Sequence, residues 1–151
     1  MYYRGMEISP YKPEFRADCI TVFKSNIPKY FAEHELEEFT TWLDTGQVDT
    51  YYVIKLEEKM VGCGGIYLDP DRNKAGFAWG MIHQDYHKQG FGKAFSEFRI
   101  KKIKEMSDLP IYLVTSQYTY EFYRKLGFEV IAFEKDGFFE GNDKYDMKYT
   151  L

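Results

Sequence analysis

Apolar positions change their spacing from one segment of this chain to the next, and the spacing predicts the elements. Residues 7–9 read as the end of a first strand, and Pro10 and Pro13 punctuate the passage into a helix over 14–24. Asn26 and Pro28 mark a break. Over 29–43, Phe31, Leu36, Phe39 and Leu43 supply one face of a second helix, which Gly46 stops. The aromatic and β-branched run 51–56, the polar turn Glu57-Glu58-Lys59 and the run 60–68 read as a hairpin. After the turn Asp69-Pro70-Asp71-Arg72-Asn73, a strand over 76–82 places Phe77, Trp79 and Met81 on one face. A helix over 90–106, a buried strand over 111–115, a helix over 118–126 and strands at 128–133 and 144–149 complete the chain. One strand, two helices and three strands followed by αβαββ predict an α+β (α/β three-layer) sheet with helices on both faces.

A length of 151 residues suits one compact domain over 1–151, and 44% apolar with 19% aromatic residues supplies ample core. No run approaches the roughly 18 apolar residues that span a bilayer, and the start Met1-Tyr2-Tyr3-Arg4-Gly5 lacks a secretory apolar segment, so a cytoplasmic protein away from membranes is expected. Cys19 and Cys63 suit reduced, buried thiols better than a disulfide or a metal framework, and no metal site is expected. A net charge of −4 argues against general nucleic-acid binding. Within this acidic chain, Lys88, Lys93, Arg99, Lys101, Lys102 and Lys104 face only Glu97, which predicts a cationic surface fit for a compact polyanion.

That cationic stretch opens on a glycine turn. His83-Gln84-Asp85-Tyr86-His87-Lys88-Gln89-Gly90-Phe91-Gly92-Lys93-Ala94 leaves a strand and enters a helix. First-turn amides of a helix have no intrahelical acceptors and sit at the positive end of its dipole, where a phosphate can accept from them. The segment matches neither GxGxxG nor the Gly-Lys-Ser/Thr ending of a nucleotide-triphosphate loop. About thirty residues on, Thr115-Ser116-Gln117-Tyr118-Thr119-Tyr120-Glu121-Phe122-Tyr123-Arg124-Lys125-Leu126-Gly127-Phe128 places Thr119, Phe122, Tyr123 and Leu126 on one helical face, with Gly127 as a left-handed cap.

Together these two segments resemble the GNAT acetyltransferase superfamily. His87, Gly90 and Gly92 stand where that family has Arg or Gln, then Gly, then Gly or Ala. Phe122-Tyr123-Arg124-Lys125-Leu126-Gly127-Phe128 is similar to its second CoA-facing element, with Ser116 in place of a frequent Asn. The resemblance implies a GNAT-like acyl-CoA N-acyltransferase fold: a mixed, mostly antiparallel sheet of about six or seven strands. It implies acetyl-CoA as acetyl donor, held by Met81, Ile82, His83, His87, Lys88, Gln89, Gly90, Phe91, Gly92, Lys93, Ser116 and Phe122. Strands 76–82 and 111–115 would splay, exposing backbone near Met81 and Ile82 to the pantetheine amides.

The implied reaction is direct acetyl transfer to a primary amine of a small molecule or protein, with a homodimer compatible. Tyr123 is the catalytic candidate: a phenol with its ordinary pKa of about 10 keeps its proton at neutral pH and can donate it to the departing thiolate. His83, Asp85 and Glu33 are candidates for a base acting through water, and none is assigned; no acid lies within Lys74–Ile82. The alternative is a non-catalytic CoA-sensing or structural module, motivated by His87 and by that missing carboxylate. Glu33, Glu35, Glu37 and Glu38 read as a solvated helix face, and Trp42 and Trp79 as core.

Overall fold

A computed structural model describes residues 5–151. Residues 1–4, part of the start read for a secretory segment, lie outside the described residues. The order is β1 (Met6–Pro10), α1 (Arg16–Lys24), α2 (Glu35–Thr45), β2 (Tyr51–Leu56), β3 (Lys59–Asp69), β4 (Lys74–Ile82), α3 (Phe91–Met106), β5 (Ile111–Thr115), α4 (Tyr120–Leu126), β6 (Phe128–Phe139) and β7 (Asn142–Tyr149). Seven strands form a mixed sheet in the order β1-β2-β3-β4-β5-β7-β6. β1–β2, β2–β3, β5–β7 and β6–β7 are antiparallel, whereas β4 meets β5 in parallel through Ala75↔Ile111 and Gly76↔Tyr112.

The chain divides into two compact units. The first runs to Tyr67 and includes Phe77–Lys102. Here period-2 alternation sends neighbouring residues to opposite faces of the sheet: Val53 joins Phe23 of α1 and Phe39 of α2, while Ile54 joins Phe91 and Phe95 of α3. Phe23 is fully buried and stacks on Phe31 at 4.5 Å and on Phe39 at 5.1 Å between centroids. Exposed Arg16 and Asp44 tie α1 to α2 through a two-pronged ion pair of 2.7 and 3.0 Å, which adds little stability at a solvated surface. Cys19 and Cys63 are buried free thiols, and the Cys19 thiol is pushed up by its hydrogen bond with Cys63 and by burial, so it stays protonated.

Three expectations are corrected in this unit. Helix α2 starts at Glu35 instead of residue 29, because the Asn26 carbonyl captures the N–H groups of both Tyr30 and Phe31 and winds the segment into turns. Glu35 then reaches back to the Ala32 N–H at 2.8 Å, half of a capping box, and the helix begins. The second correction concerns β4. Trp79 has φ of 41°, a left-handed conformation inside a strand, so side-chain alternation breaks there. Phe77 consequently lies under the Arg99 guanidinium at 3.9 Å, on the α3 side, while Trp79 and Met81 pack with Phe23 and Phe39. The Tyr51 hydroxyl donates to the Trp79 carbonyl at 2.7 Å and holds the kink.

Arg99 itself departs from expectation. It is 3% exposed, between the rings of Phe77 and Phe95, and so does not join the cationic surface. Its position follows from the α3 repeat: Phe91, Phe95, Arg99 and Ile103 are four apart and all buried. Gly64 and Gly80 leave the guanidinium its space; a Cβ on Gly80 would stand 2.5 Å from Arg99 Nη1.

The second unit comprises Leu68–Gly76 and Ile103–Leu151. Leu113 and Met147 pair across β5 and β7 and are buried, and Tyr120 of α4 stacks on Tyr145 of β7 at 4.3 Å. The hairpin β6–β7 is longer than expected, reaching Phe139 and resuming at Asn142. A bulge between Val130 and Ala132 inserts Ile131 as an extra residue. Glu134↔Lys144 and Glu129↔Lys148 are opposite-charge cross-strand pairs.

Gly80→Ala should lower stability by about 1–3 kcal/mol, read from the urea midpoint, because the added methyl displaces a buried guanidinium. Stability should also fall at alkaline pH. Burial raises the Tyr51 phenol well above its ordinary value of 10.0, so the native state keeps a proton that the unfolded chain loses above that pH. The resulting slope, about 1.4 kcal/mol per pH unit above pH 10, should shrink by one proton in Tyr51→Phe.

Candidate functional site

The turn between β4 and α3 lies wholly in the first unit. Its start is a one-turn 3-10 segment over Gln84–Tyr86, in which His83 Nδ1 accepts from the Asp85 N–H at 3.1 Å. The Asp85 carboxylate stands 3.8 Å from the same ring nitrogen. Tyr86 and His87 then close backbone turns on His83 and Gln84. Lys88 and Gly90 both take the left-handed conformation, with φ of 62° and 89°. Glycine suits that conformation, whereas Lys88 adopts it at a steric cost.

These alternations lift Lys88, Gln89 and Gly90 into solvent immediately before α3. The Ala94 N–H is the donor that closes the first turn, to the Gly90 carbonyl at 3.1 Å. Helical geometry leaves the N–H groups of Gly92 and Lys93 without intrahelical acceptors, at the positive end of a 16-residue helix. Lys88 and Lys93 add exposed cations, while Phe91 turns inward, 2% exposed, and anchors the helix start. The expected turn residues 83 and 87–93 are therefore brought together in one continuous segment. Their exposed donors and cations form an arrangement suited to a polyphosphate.

Two details differ from the sequence reading. The His87 imidazole points back at the strand, with Nε2 2.7 Å from the Ile82 carbonyl. Asn26 Nδ2 reaches the same oxygen at 3.0 Å, so the Ile82 carbonyl, expected to meet an incoming ligand, already has two donors. Met81 is 7% exposed and its side chain belongs to the α1–α2 core. Asn26 carries no motif. Its only sequence signal was its place beside Pro28 at a helix break.

Ser116, Phe122 and Tyr123 belong to the second unit. Ser116 is buried; its hydroxyl accepts from the Tyr118 N–H at 3.3 Å, and its carbonyl accepts from Thr119 and Tyr120. These bonds, with the hydroxyl contact between Thr115 and Thr119, turn β5 into α4. Phe122 and Tyr123 are half-buried, their rings edge to face at 5.0 Å, and Tyr123 meets Phe128 the same way at 5.9 Å. Gly127 closes α4 with φ of 114°, the cap expected from sequence. Sequence reasoning also passed over Asp146 of β7. Its neighbours across the sheet are Val114 and Ala132, and its buried Oδ1 has no hydrogen-bond partner among the described residues.

A family model described as an acetyltransferase (GNAT) domain matches residues 47–130, more than half of the chain. The chain belongs to the GNAT acetyltransferase family. The matched stretch contains the glycine turn, all of α3 and the α4 segment through Phe128. No match was found among the curated proteins. Solved structures share the GNAT fold at low identity. The ribosomal-protein-S18-alanine N-acetyltransferase of Escherichia coli is 15% identical with a TM-score of 0.78, over 95% of this chain and 92% of that one. Arabidopsis thaliana Naa50, in complex with the bisubstrate analogue CoA-Ac-MVNAL, is 13% identical with a TM-score of 0.77, over 98% of this chain and 100% of that one. A Pyrococcus horikoshii protein, provisionally named an acetyltransferase, is 23% identical with a TM-score of 0.72 over 88% of this chain, which spans only 46% of that protein. Among the described residues, no helix of this GNAT protein is long and apolar enough to cross a membrane, and no group of three metal-binding side chains occurs.

Gly90→Ala should cost about 1–2 kcal/mol of stability, because its φ of 89° is disfavoured for a residue with a Cβ. Thermal unfolding with the secondary structure checked by circular dichroism measures it.

Proposed function

We propose that this GNAT protein transfers the acetyl group of acetyl-CoA directly to a primary amine of a small molecule or protein. The observation that carries the proposal is the turn ahead of α3: exposed Lys88, Gln89 and Gly90, two left-handed residues, and a helix start flanked by cations, inside the segment that matches the family. Those residues fit a pyrophosphate. The amides of Gly92 and Lys93 would donate to its oxygens, and Lys88 and Lys93 would balance its charge. Acetyl-CoA, when bound, supplies an acetyl group activated as a thioester.

The remaining chemistry falls to side chains. Tyr123 is proposed to donate its phenolic proton to the departing sulfur, which spares the reaction a free thiolate. Its ring is held by Phe122 and Phe128, which restricts where the hydroxyl can point. The neutral amine forms the C–N bond as the C–S bond breaks, and the proton its nitrogen sheds passes through water to restore the Tyr123 phenol. His83 is poorly placed to take the amine's proton through Nδ1, since that atom already accepts from the Asp85 N–H. The names of the Escherichia coli and Arabidopsis structures support including peptide amines, along with small amines, among the acceptors to be tried.

The lack of an acid on β4 favours a second reading, a CoA-binding module without turnover. One set of measurements separates the two. Acetyl-CoA at a hundredfold excess over its Kd should stabilise the fold by about 2.7 kcal/mol, seen as a higher Tm, and ATP or NADH should do far less. No shift with millimolar acetyl-CoA would sink both readings. Thiol release across a panel of peptide, polyamine and aminoglycoside amines then tests transfer, and binding without release throughout would favour the module. With an active acceptor, Tyr123→Phe should lower kcat by about 10² to 10⁴ while CoA affinity holds, whereas a twofold loss would make Tyr123 a packing residue.

A further inference from the structure

The end of β4 is held by an unusual number of side-chain donors. One peptide unit joins the carbonyl of Ile82 to the N–H of His83. Its oxygen accepts from Asn26 Nδ2 at 3.0 Å and lies 2.7 Å from His87 Nε2. Its N–H donates to the Val61 carbonyl at 2.7 Å. A carbonyl has two lone pairs and cannot donate, so His87 must carry its proton on Nε2, and the oxygen is fully used. Three bonds in different directions fix the plane of this peptide, immediately before the glycine turn.

The two donors come from distant parts of the chain. His87 lies in the turn itself. Asn26 follows α1, is 5% exposed, and also donates to the Val22 carbonyl at 3.0 Å while its own carbonyl accepts from Tyr30 and Phe31. A second link runs in parallel: the Gln84 N–H donates to Ser25 Oγ at 3.1 Å, and Ser25 Oγ donates to the Val22 carbonyl at 2.7 Å. The Tyr30 ring closes the set, edge to face with His87 at 5.2 Å. Residues 25–31 and 82–87 therefore meet through one shared carbonyl, one hydroxyl and one ring pair, all in the first unit.

We infer that His87 is a positioning residue which, with Asn26, clamps the Ile82–His83 peptide and makes the glycine turn and segment 25–31 respond as one body to an anion seated on the turn. The inference rests on the proposed binding of acetyl-CoA there. An occupant that orders Lys88–Lys93 restrains His87, His87 restrains the Ile82 carbonyl, and Asn26 passes that restraint to the Tyr30 and Phe31 amides. The segment between α1 and α2 then tightens when the donor binds. His87 does this through Nε2–H alone, so a side chain with an N–H at similar reach can replace it.

Hydrogen exchange of the full chain, followed by mass spectrometry with fragmentation, tests this in the wild type, His87→Ala and His87→Gln. Without ligand, the His83 amide should exchange about tenfold faster in His87→Ala, since one bond holding its peptide is lost, and near the wild-type rate in His87→Gln. With saturating acetyl-CoA, wild type and His87→Gln should gain protection both at 88–93 and at 30–31. His87→Ala should gain it at 88–93 alone. Protection of 30–31 that persists in His87→Ala, or that never arises in wild type while 88–93 is protected, overturns the inference. An unchanged His83 rate in His87→Ala overturns it as well. Absence of protection at 88–93 in the wild type overturns instead the acetyl-CoA reading on which the coupling depends, and the ligand-free arm still judges the clamp.

Discussion

A guanidinium buried against a sheet can be accommodated only where side chains are missing beneath it. Arg99 meets that requirement over Gly64 and Gly80, with Phe77 and Phe95 offering their ring faces to the charge. Once Arg99 is seated, Phe91 and Phe95 fall into the core with Ile54 and Val61, and the first turn of α3 is aimed. The exposed amides ahead of it are thus set by a contact two turns further along the helix. Charge burial without full solvation is costly, and aromatic faces recover part of that cost.

The kink at Trp79 works on the same strand from the other side. A left-handed residue within β4 switches which side chains face α1 and α2, and the Tyr51 hydroxyl secures it from within the core. Phe77 and Trp79 are two apart and lie on opposite faces as a result. One strand thereby serves the Arg99 seat with Phe77 and the aromatic cluster of Phe23, Phe31 and Phe39 with Trp79.

Most of the strand and helix order was legible because hydrophobic period and turn residues agreed along the chain; Gly127, for instance, both ends an apolar helical stripe and takes the left-handed cap. The glycine turn was legible for the same reason, since Gly90 is both a motif position and a residue with positive φ. The misses share another cause. The charge of Arg99 groups it with the surface lysines, but its i, i+4 spacing from Phe95 decides its place. Phe31 is apolar and in phase with α2, which extends the apparent helix six residues too far toward the N-terminus, whereas the Asn26 carbonyl takes its amide. The motif position of His87 marks it for the turn, but its direction depends on Ile82, five residues back, and on Tyr30, far away in sequence. Local pattern carries no record of such partners.

The extra residue in β6 bears on how this protein behaves when crowded. Strand β6 closes one end of the sheet and exposes Ile131 and Phe133, each 56% accessible, on a strand of twelve residues. A flat strand of that kind would template another chain and grow without limit. Ile131 interrupts the ladder just where the apolar side chains cluster, and Glu129 and Glu134 flank it, so an incoming strand meets a local twist and two carboxylates instead of a regular row of amides. The bulge thereby breaks the regular edge that amyloid-like stacking requires.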